Sequence, residues 1–313
     1  SGPTEPGRIC VYDTKTGKLS LIHALNPKLK PHDLTVPKSI TYTARDGTAL
    51  SGYLTRKSGI SSNAPMIVMP HGGPAARDYL SYDLIAQYFV SQGYQIFQPN
   101  FRGSSGFGNA FMRAGHREWG GIMQDDITDG VMHLIETGQA NRDKICIAGA
   151  SYGGYAALMG AIRTPDLYNC AVAINAPSDL PGMIEYVDAR SGKDSWLYNY
   201  RVETMGHPKT DADLLTLRSP LHNLEAIDIP ILLIHGVKDK IVPVSQSRTL
   251  SKAMKDADID TEYMELPFIG HDLVGGAAVI HEIQGEDFNN LKLGYQNTIL
   301  KMREFFEAHL KTP

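Results

Sequence analysis

Cysteine is scarce in this chain: three residues in 313, at Cys10, Cys146 and Cys170. The odd number and wide spacing argue against a disulfide framework. Cys146 and Cys170 fall in apolar runs that predict buried thiols. Long hydrophobic runs are missing too. No stretch approaches the ~18 apolar residues that a membrane span requires, and no signal-peptide pattern opens the chain. Positive charge is not in excess either. The net charge is −4 and no Lys/Arg cluster stands out, so nothing calls for a nucleic-acid partner. The eleven histidines show neither H-E-x-x-H nor paired C-x-x-C spacing, so no metal site is expected, and no motif asks for a cofactor. Internal repeats and low-complexity tracts are also lacking. What remains, 42% hydrophobic and 20% charged, is an ordinary globular composition with room for one large α/β domain or two smaller ones.

Strand-like and helix-like segments alternate from residue 64 onward. Short apolar runs at 65–70, 94–99, 144–149, 170–175, 229–236 and 261–267 predict strands. Amphipathic stretches at 80–92, 121–137, 151–163, 245–256 and 295–310 predict helices between and after them. Continuous apolar strands separated by helices indicate a mostly parallel central sheet with helices on both faces. Two hairpin signatures precede this alternation. One is R-I-C-V-Y-D-T-K-T-G-K-L-S-L-I-H from residue 8, and the other surrounds A-R-D-G-T-A-L near residue 46. A Pro- and Lys-rich connector joins them. The expected division is therefore residues 1–37, a hairpin and linker, and 38–313, the main α/β domain.

One stretch carries chemistry: G-A-S-Y-G-G-Y-A-A-L-M-G, residues 149–160. Ser151 sits in G-x-S-x-G spacing between a strand-like run and an Ala-rich helical run. A serine held on a sharp strand-to-helix turn needs small neighbours, and Gly149, Gly153 and Gly154 supply them. A nucleophilic serine also needs a base, and the base an orienting carboxylate. In α/β-hydrolases these follow in the order Ser, Asp, His, each in a loop after a strand. Asp239 follows the run I-L-L-I-H-G, and His271 follows E-Y-M-E-L-P. The rival assignments are weaker. Asp228 precedes its strand, at the wrong end of the sheet; His235 lies within a strand; His281 has no glycine loop. The M-P-H-G-G-P segment after the first parallel strand supplies Gly72 and Gly73 for an oxyanion hole, with the Tyr152 amide as the second donor.

The segments H-G-G-P, N-F-R-G-S-S-G-F-G (100–108), G-A-S-Y-G-G-Y-A-A-L, H-G-V-K-D-K-I-V-P and G-H-D occur in the order of the prolyl oligopeptidase family of serine peptidases. Over roughly residues 38–313 the chain resembles that family, most closely its dipeptidyl-peptidase and acylaminoacyl-peptidase branches. The resemblance implies an α/β-hydrolase catalytic domain with Ser151, Asp239 and His271 as triad. It implies oxyanion contacts from Gly72, Gly73 and Tyr152, with His71 as an assisting donor where some branches use a tyrosine hydroxyl. It further implies a peptidase acting on oligopeptide, dipeptidyl or acylaminoacyl substrates through an acyl-enzyme, with no cofactor. Tyr152, Ser178 and Val242 are expected to form the primary substrate pocket, with W-L-Y-N-Y (196–200) as a wall or as core. Two departures stand out. Several branches place an Arg or Asn two residues after the triad Asp, where this chain has Ile241. A stretch at 273–292 reads as an insertion between His271 and the last helix. Family members carry an N-terminal β-propeller, and residues 1–37 are expected to be the remnant of a propeller blade, which makes the N-terminus incomplete. A carboxylesterase with the same triad and an inactive hydrolase-fold module are the alternatives. A peptide or small acyl molecule is the expected partner. Homo-oligomerisation, and cytoplasm or periplasm as the compartment, stay open.

Overall fold

The computed structural model describes residues 2–24, 26–271 and 286–310. Strands β1 (Arg8–Asp13) and β2 (Lys18–Ala24) form an antiparallel ribbon with no other described strand beside it. Ile9, Val11, Tyr12, Leu19, Leu21 and Ile22 are all exposed on it. The second hairpin, β3 (Lys38–Thr43) and β4 (Ala49–Thr55), instead joins the main sheet. That sheet has eight strands. It adds β5 (Met66–Val68), β6 (Gln95–Asn100), β7 (Ile145–Ala150), β8 (Cys170–Ile174), β9 (Ile231–Gly236) and β10 (Thr261–Leu266), in the order β10-β9-β8-β7-β5-β6-β4-β3. β5 to β10 run parallel, while β4 meets β6 antiparallel. All six strands predicted from apolar runs are present.

The two faces of the central strands explain why β5, β7, β8 and β9 are largely apolar. Successive side chains point to opposite faces, so a strand covered on both sides favours apolar residues at nearly every position. On one face Ile145, Ile147, Ala171, Ala173, Ile231 and Leu233 meet helices α3 (Ile122–Glu136), α4 (Tyr152–Arg163) and α8 (Ser245–Asp256). On the other face Cys146, Ala148, Val172, Leu232 and Ile234 meet α1 (Leu84–Ser91) and α9 (Glu286–His309). No described helix is long and apolar enough to cross a membrane.

Two expectations need correction. Cys146 and Cys170 are not free thiols: they are register partners on β7 and β8, with Cα atoms 4.8 Å apart, and are joined by a disulfide. Adjacent strands in register turn paired side chains to the same face, which no spacing of 24 residues reveals. Between β8 and β9 the structure has helices α5 (Leu180–Ser191), α6 (Trp196–Met205) and α7 (Ala212–Leu217), none of which was predicted. A short helix, α2 (Asn109–Arg113), was also missed. α5 opens with Pro181 in its first turn and stops at Gly192, φ +78°. α6 mixes polar and aromatic residues without a clean apolar stripe, so periodicity alone does not mark it. Residues 286–292 of the expected insertion belong to α9. The rest of it, with His281, lies outside the described residues.

Two buried polar anchors hold the loops around the future site. Arg102, from the N-F-R-G segment after β6, donates through its backbone N–H (2.8 Å) and Nε (2.9 Å) to Asp126 on α3, and its guanidinium also reaches Asp46. The Asp126 side chain has no exposed surface. The second anchor is Asp78, in the loop after β5. Its N–H donates to the Asn100 side chain (2.8 Å), and its carboxyl accepts from Gln98, which also donates to Asp83, the N-cap of α1. Burial, with Asp83 close by, pushes the Asp78 carboxyl up to about 8.

Both anchors yield predictions. Asp126→Ala removes the fully buried partner of Arg102, leaves its guanidinium only Asp46 and Thr48, and is expected to cost ~3–5 kcal/mol in urea unfolding of the full-length protein. A loss below ~1 kcal/mol would contradict the anchor. For Asp78 the folded state holds its proton above the unfolded value. Its contribution is therefore complete at low pH and fades as pH rises through about 8. Asp78→Asn keeps the neutral form at every pH, so the margin of its melting temperature over that of the wild type should widen from the ordinary carboxylate range up to pH about 8 and then level off; parallel curves would refute the assignment.

Candidate active site

The turn between β7 and α4 holds Ser151 at φ +56°, ψ −122°, a conformation rarely open to a residue with a Cβ. Three glycines make room for it. A Cβ on Gly149 would run into the Gly153 carbonyl, and one on Gly153 into the Pro70 carbonyl. One on Gly154 would come within 2.9 Å of the Ala176 Cβ. The Ser151 N–H donates to the Ile174 carbonyl at 2.8 Å, which ties the turn to the end of β8.

Asp239 and His271 come from the loops after β9 and β10, at the same end of the sheet. His271 Nε2 lies 3.0 Å from Ser151 Oγ, and its Nδ1 lies 2.6 Å from Asp239 Oδ2. The Asp239 carboxylate is fully buried, and its Oδ1 accepts the backbone N–H groups of Ile241 (2.8 Å) and Val242 (2.9 Å). Three hydrogen bonds thus replace the water it gives up. Behind it His235 donates from Nε2 to the Val242 carbonyl (3.0 Å), while Nδ1 accepts from the Ser247 hydroxyl (2.7 Å). Burial lowers the His235 pKa, which keeps this ring neutral. His235 therefore braces the Asp239 loop and does not meet Ser151. Asp228 is exposed, ahead of β9 and at the opposite end from Asp239.

Above Ser151 runs the His71–Ala76 segment. Gly72 is close enough that a Cβ there would stand 3.5 Å from the Ser151 Cβ. The backbone N–H groups of Gly72, Gly73 and Tyr152 find no acceptor among the described residues. His71 departs from its expected role. Its Nδ1 donates to the Gly72 carbonyl (2.8 Å), Nε2 meets the Ser104 hydroxyl (2.8 Å), and the ring stacks on Phe101. Burial pushes its pKa down to about 4, so the ring is neutral and both nitrogens are engaged. It has no ring N–H left for an oxyanion. By fixing the Gly72 carbonyl it instead turns the Gly73 N–H, trans across the same peptide, the opposite way.

The expected pocket residues divide. Tyr152 is buried among Phe101, Trp119 and Tyr155, so its ring belongs to the core and its amide alone faces the turn. Ser178 is fully buried and spends its N–H (2.7 Å) and hydroxyl (2.8 Å) on Gln246, locking the start of α5 to α8. Val242 is also buried, so neither it nor Ser178 lines an open pocket. Ile241 is 45% exposed. Within W-L-Y-N-Y, Tyr198 packs inward, while Trp196, 75% exposed, stacks on Tyr200 at 5.1 Å. A small cavity beside the oxyanion segment is lined by Pro74, Ala75, Gly103, Trp119, Tyr200 and Thr204, among others. Sequence reasoning missed Gln246 and Asn175, whose only signal is a polar residue next to a buried strand or helix face.

With this geometry in view, likeness to known proteins carries weight. The prolyl oligopeptidase family profile matches residues 80–287. Dipeptidyl aminopeptidase BIII of Pseudoxanthomonas mexicana is 35% identical over 270 residues, 83% of this chain and 39% of that protein. Dipeptidyl peptidase family member 6 of Caenorhabditis elegans is 31% identical over 299 residues, 87% of this chain and 40% of that protein. A solved structure of a Mycobacterium tuberculosis puromycin-hydrolyzing peptidase shares the fold, with a TM-score of 0.84 at 23% identity over 100% of this chain and 45% of that one. The chain therefore spans about two fifths of the curated relatives it matches. The matched span runs through Ser151, Asp239 and His271, and the chain belongs to the prolyl oligopeptidase family.

Proposed function

We infer that this chain is the catalytic part of a serine peptidase that cleaves short or N-terminal peptide segments by way of an acyl-enzyme. The observation that carries the reading is the unbroken run Ser151 Oγ–His271–Asp239, at 3.0 and 2.6 Å, beneath backbone N–H groups with no protein acceptor. Ser151 Oγ attacks the scissile carbonyl as His271 Nε2 takes its proton. The Asp239 carboxylate holds the Nδ1–H tautomer and favours the imidazolium that forms. Negative charge then builds on the former carbonyl oxygen, where the Tyr152 and Gly73 N–H groups receive it. Donors of this kind contribute ~2.7–4 kcal/mol each to the barrier. His271 returns the proton to the leaving amine, and water cleaves the ester by the same steps in reverse.

Dipeptidyl release is the activity named for both curated relatives described above, which favours an exopeptidase removing dipeptides. The stacked Trp196–Tyr200 pair, with Trp196 exposed, supports a pocket wall on α6. The exposed apolar faces of the β1–β2 ribbon support reading residues 1–37 as a unit separate from the hydrolase domain. A carboxylesterase is the second reading. It is favoured by Ile241, an exposed apolar side chain that offers no hydrogen bond to a substrate carbonyl.

The full-length protein should turn over a dipeptidyl anilide, and Ser151→Ala should lower its kcat by ~10⁴–10⁶ with the fold retained. Asp239→Asn should cost ~10⁴ through the wrong His271 tautomer. Turnover of p-nitrophenyl acyl esters without any peptide or anilide cleavage would decide for the esterase. No labelling of Ser151 by a fluorophosphonate would count against catalysis altogether.

A further inference from the structure

The three loops that bring Ser151, Asp239 and His271 together come from different strands, and they meet on one dipeptide, Ile174–Asn175, at the end of β8. The Ile174 carbonyl accepts the Ser151 N–H at 2.8 Å. The next residue, Asn175, donates its own N–H to the Ile234 carbonyl of β9 at 2.9 Å. Its side chain then spans the two remaining loops. Asn175 Oδ1 accepts the Gly236 N–H at 2.9 Å, three positions before Asp239. Its Nδ2 donates to the Gly270 carbonyl at 3.4 Å, one position before His271. Asn175 is fully buried and has φ +47°.

These observations make three separate demands on the residue. The left-handed backbone restricts the position to glycine or to short polar side chains such as Asn and Asp. The Gly236 N–H requires an acceptor. The Gly270 carbonyl requires a donor on the same short side chain. One carboxamide meets all three demands, whereas aspartate lacks the donor and glycine lacks both. Other contacts keep the two loops close without serving this bridge. The Lys238 N–H reaches the Ile269 carbonyl at 2.9 Å, and a Cβ on Gly236 would stand 2.5 Å from that same oxygen. The carboxamide is the only side chain among the described residues that bonds both the Gly236 and the Gly270 backbone.

We propose that Asn175 is a positioning residue for the proton-transfer chain: its carboxamide sets the separation of the Asp239 and His271 loops and thereby aligns His271 on Ser151. This rests on the serine-peptidase reading above. Asn175 touches neither substrate nor the reacting atoms, so its removal acts on the chemical step and leaves substrate binding alone. Misalignment of a reacting pair by about 1 Å costs ~10²-fold in rate.

Asn175→Gly separates the two roles of the residue, because glycine accepts the left-handed backbone and deletes only the amide. In the full-length protein, with a dipeptidyl anilide as substrate, kcat should fall ~10²-fold while KM stays within about twofold. Fluorophosphonate labelling of Ser151 should slow in parallel. Asn175→Asp, which keeps shape and the Gly236 acceptor, guards against a variant that does not fold. It should lower kcat ~10-fold, again at constant KM. Wild-type kcat in a folded Asn175→Gly or Asn175→Asp variant would overturn the positioning role, as would a loss confined to KM. Ser151→Ala measured alongside distinguishes the two failures. If it is inactive while Asn175→Gly is not, only the positioning role falls; if it keeps full activity, the peptidase reading falls and this one with it.

Discussion

The backbone of Gly153 rests against the Pro70 carbonyl, and the site depends on that closeness. A methyl group at position 153 would push the first turn of α4 away from the segment that follows β5. The unclaimed N–H groups of Gly72 and Gly73 would then leave the Tyr152 N–H. Gly149 extends the constraint to the other side of the turn, where its Cα faces the Gly153 backbone. Ser151 is held at positive φ between these contacts, a strained conformation that only tightly packed surroundings maintain.

Around this fixed turn the remaining groups arrive from strand ends that all point one way. Parallel strands put the loops after β5, β7, β8, β9 and β10 at one edge of the sheet. Residues far apart in sequence therefore become neighbours without any long-range design of their own. Electrostatics then settles which of the polar groups there carry charge. Asp239 is buried, and its carboxylate accepts two backbone N–H groups and the His271 ring. His71 and His235 are held neutral by burial, each with both nitrogens satisfied. His71 and His235 thus spend their rings on structural bonds, whereas His271 faces Ser151.

Much of this was legible before any coordinates, and the reasons are physical. The parallel strands showed because burial on both faces demands unbroken apolar runs. The meeting of Ser151, Asp239 and His271 at one end of the sheet was legible because each follows such a run, and because the turn at Ser151 has room only for glycine at 149 and 153. What stayed hidden depends on which strands are neighbours. The Cys146–Cys170 link needs β7 beside β8 in a particular register. The bridging by Asn175 needs β8 between β7 and β9. The reversal at His71, from assisting donor to a brace for the Gly72 peptide, turns on which way a ring faces. The burial of Ser178 against Gln246 depends on α5 meeting α8, and α5 carries too little apolar periodicity to announce itself.

Position 241 shows how backbone and side chain are kept apart in this loop. The Ile241 N–H donates to Asp239, so the backbone there serves the triad whatever side chain it bears. The side chain itself points to solvent and takes no part in holding the carboxylate. A change of side chain at this position therefore leaves the hydrogen bonds to the Asp239 carboxylate in place. Val242 is constrained differently: its N–H holds Asp239, its carbonyl receives His235, and its side chain is buried. Two adjacent residues thus divide the work, one open to variation and the other bound on every side. An apolar residue at 241 is for that reason compatible with the Ser151–His271–Asp239 geometry, because only its backbone N–H enters that geometry.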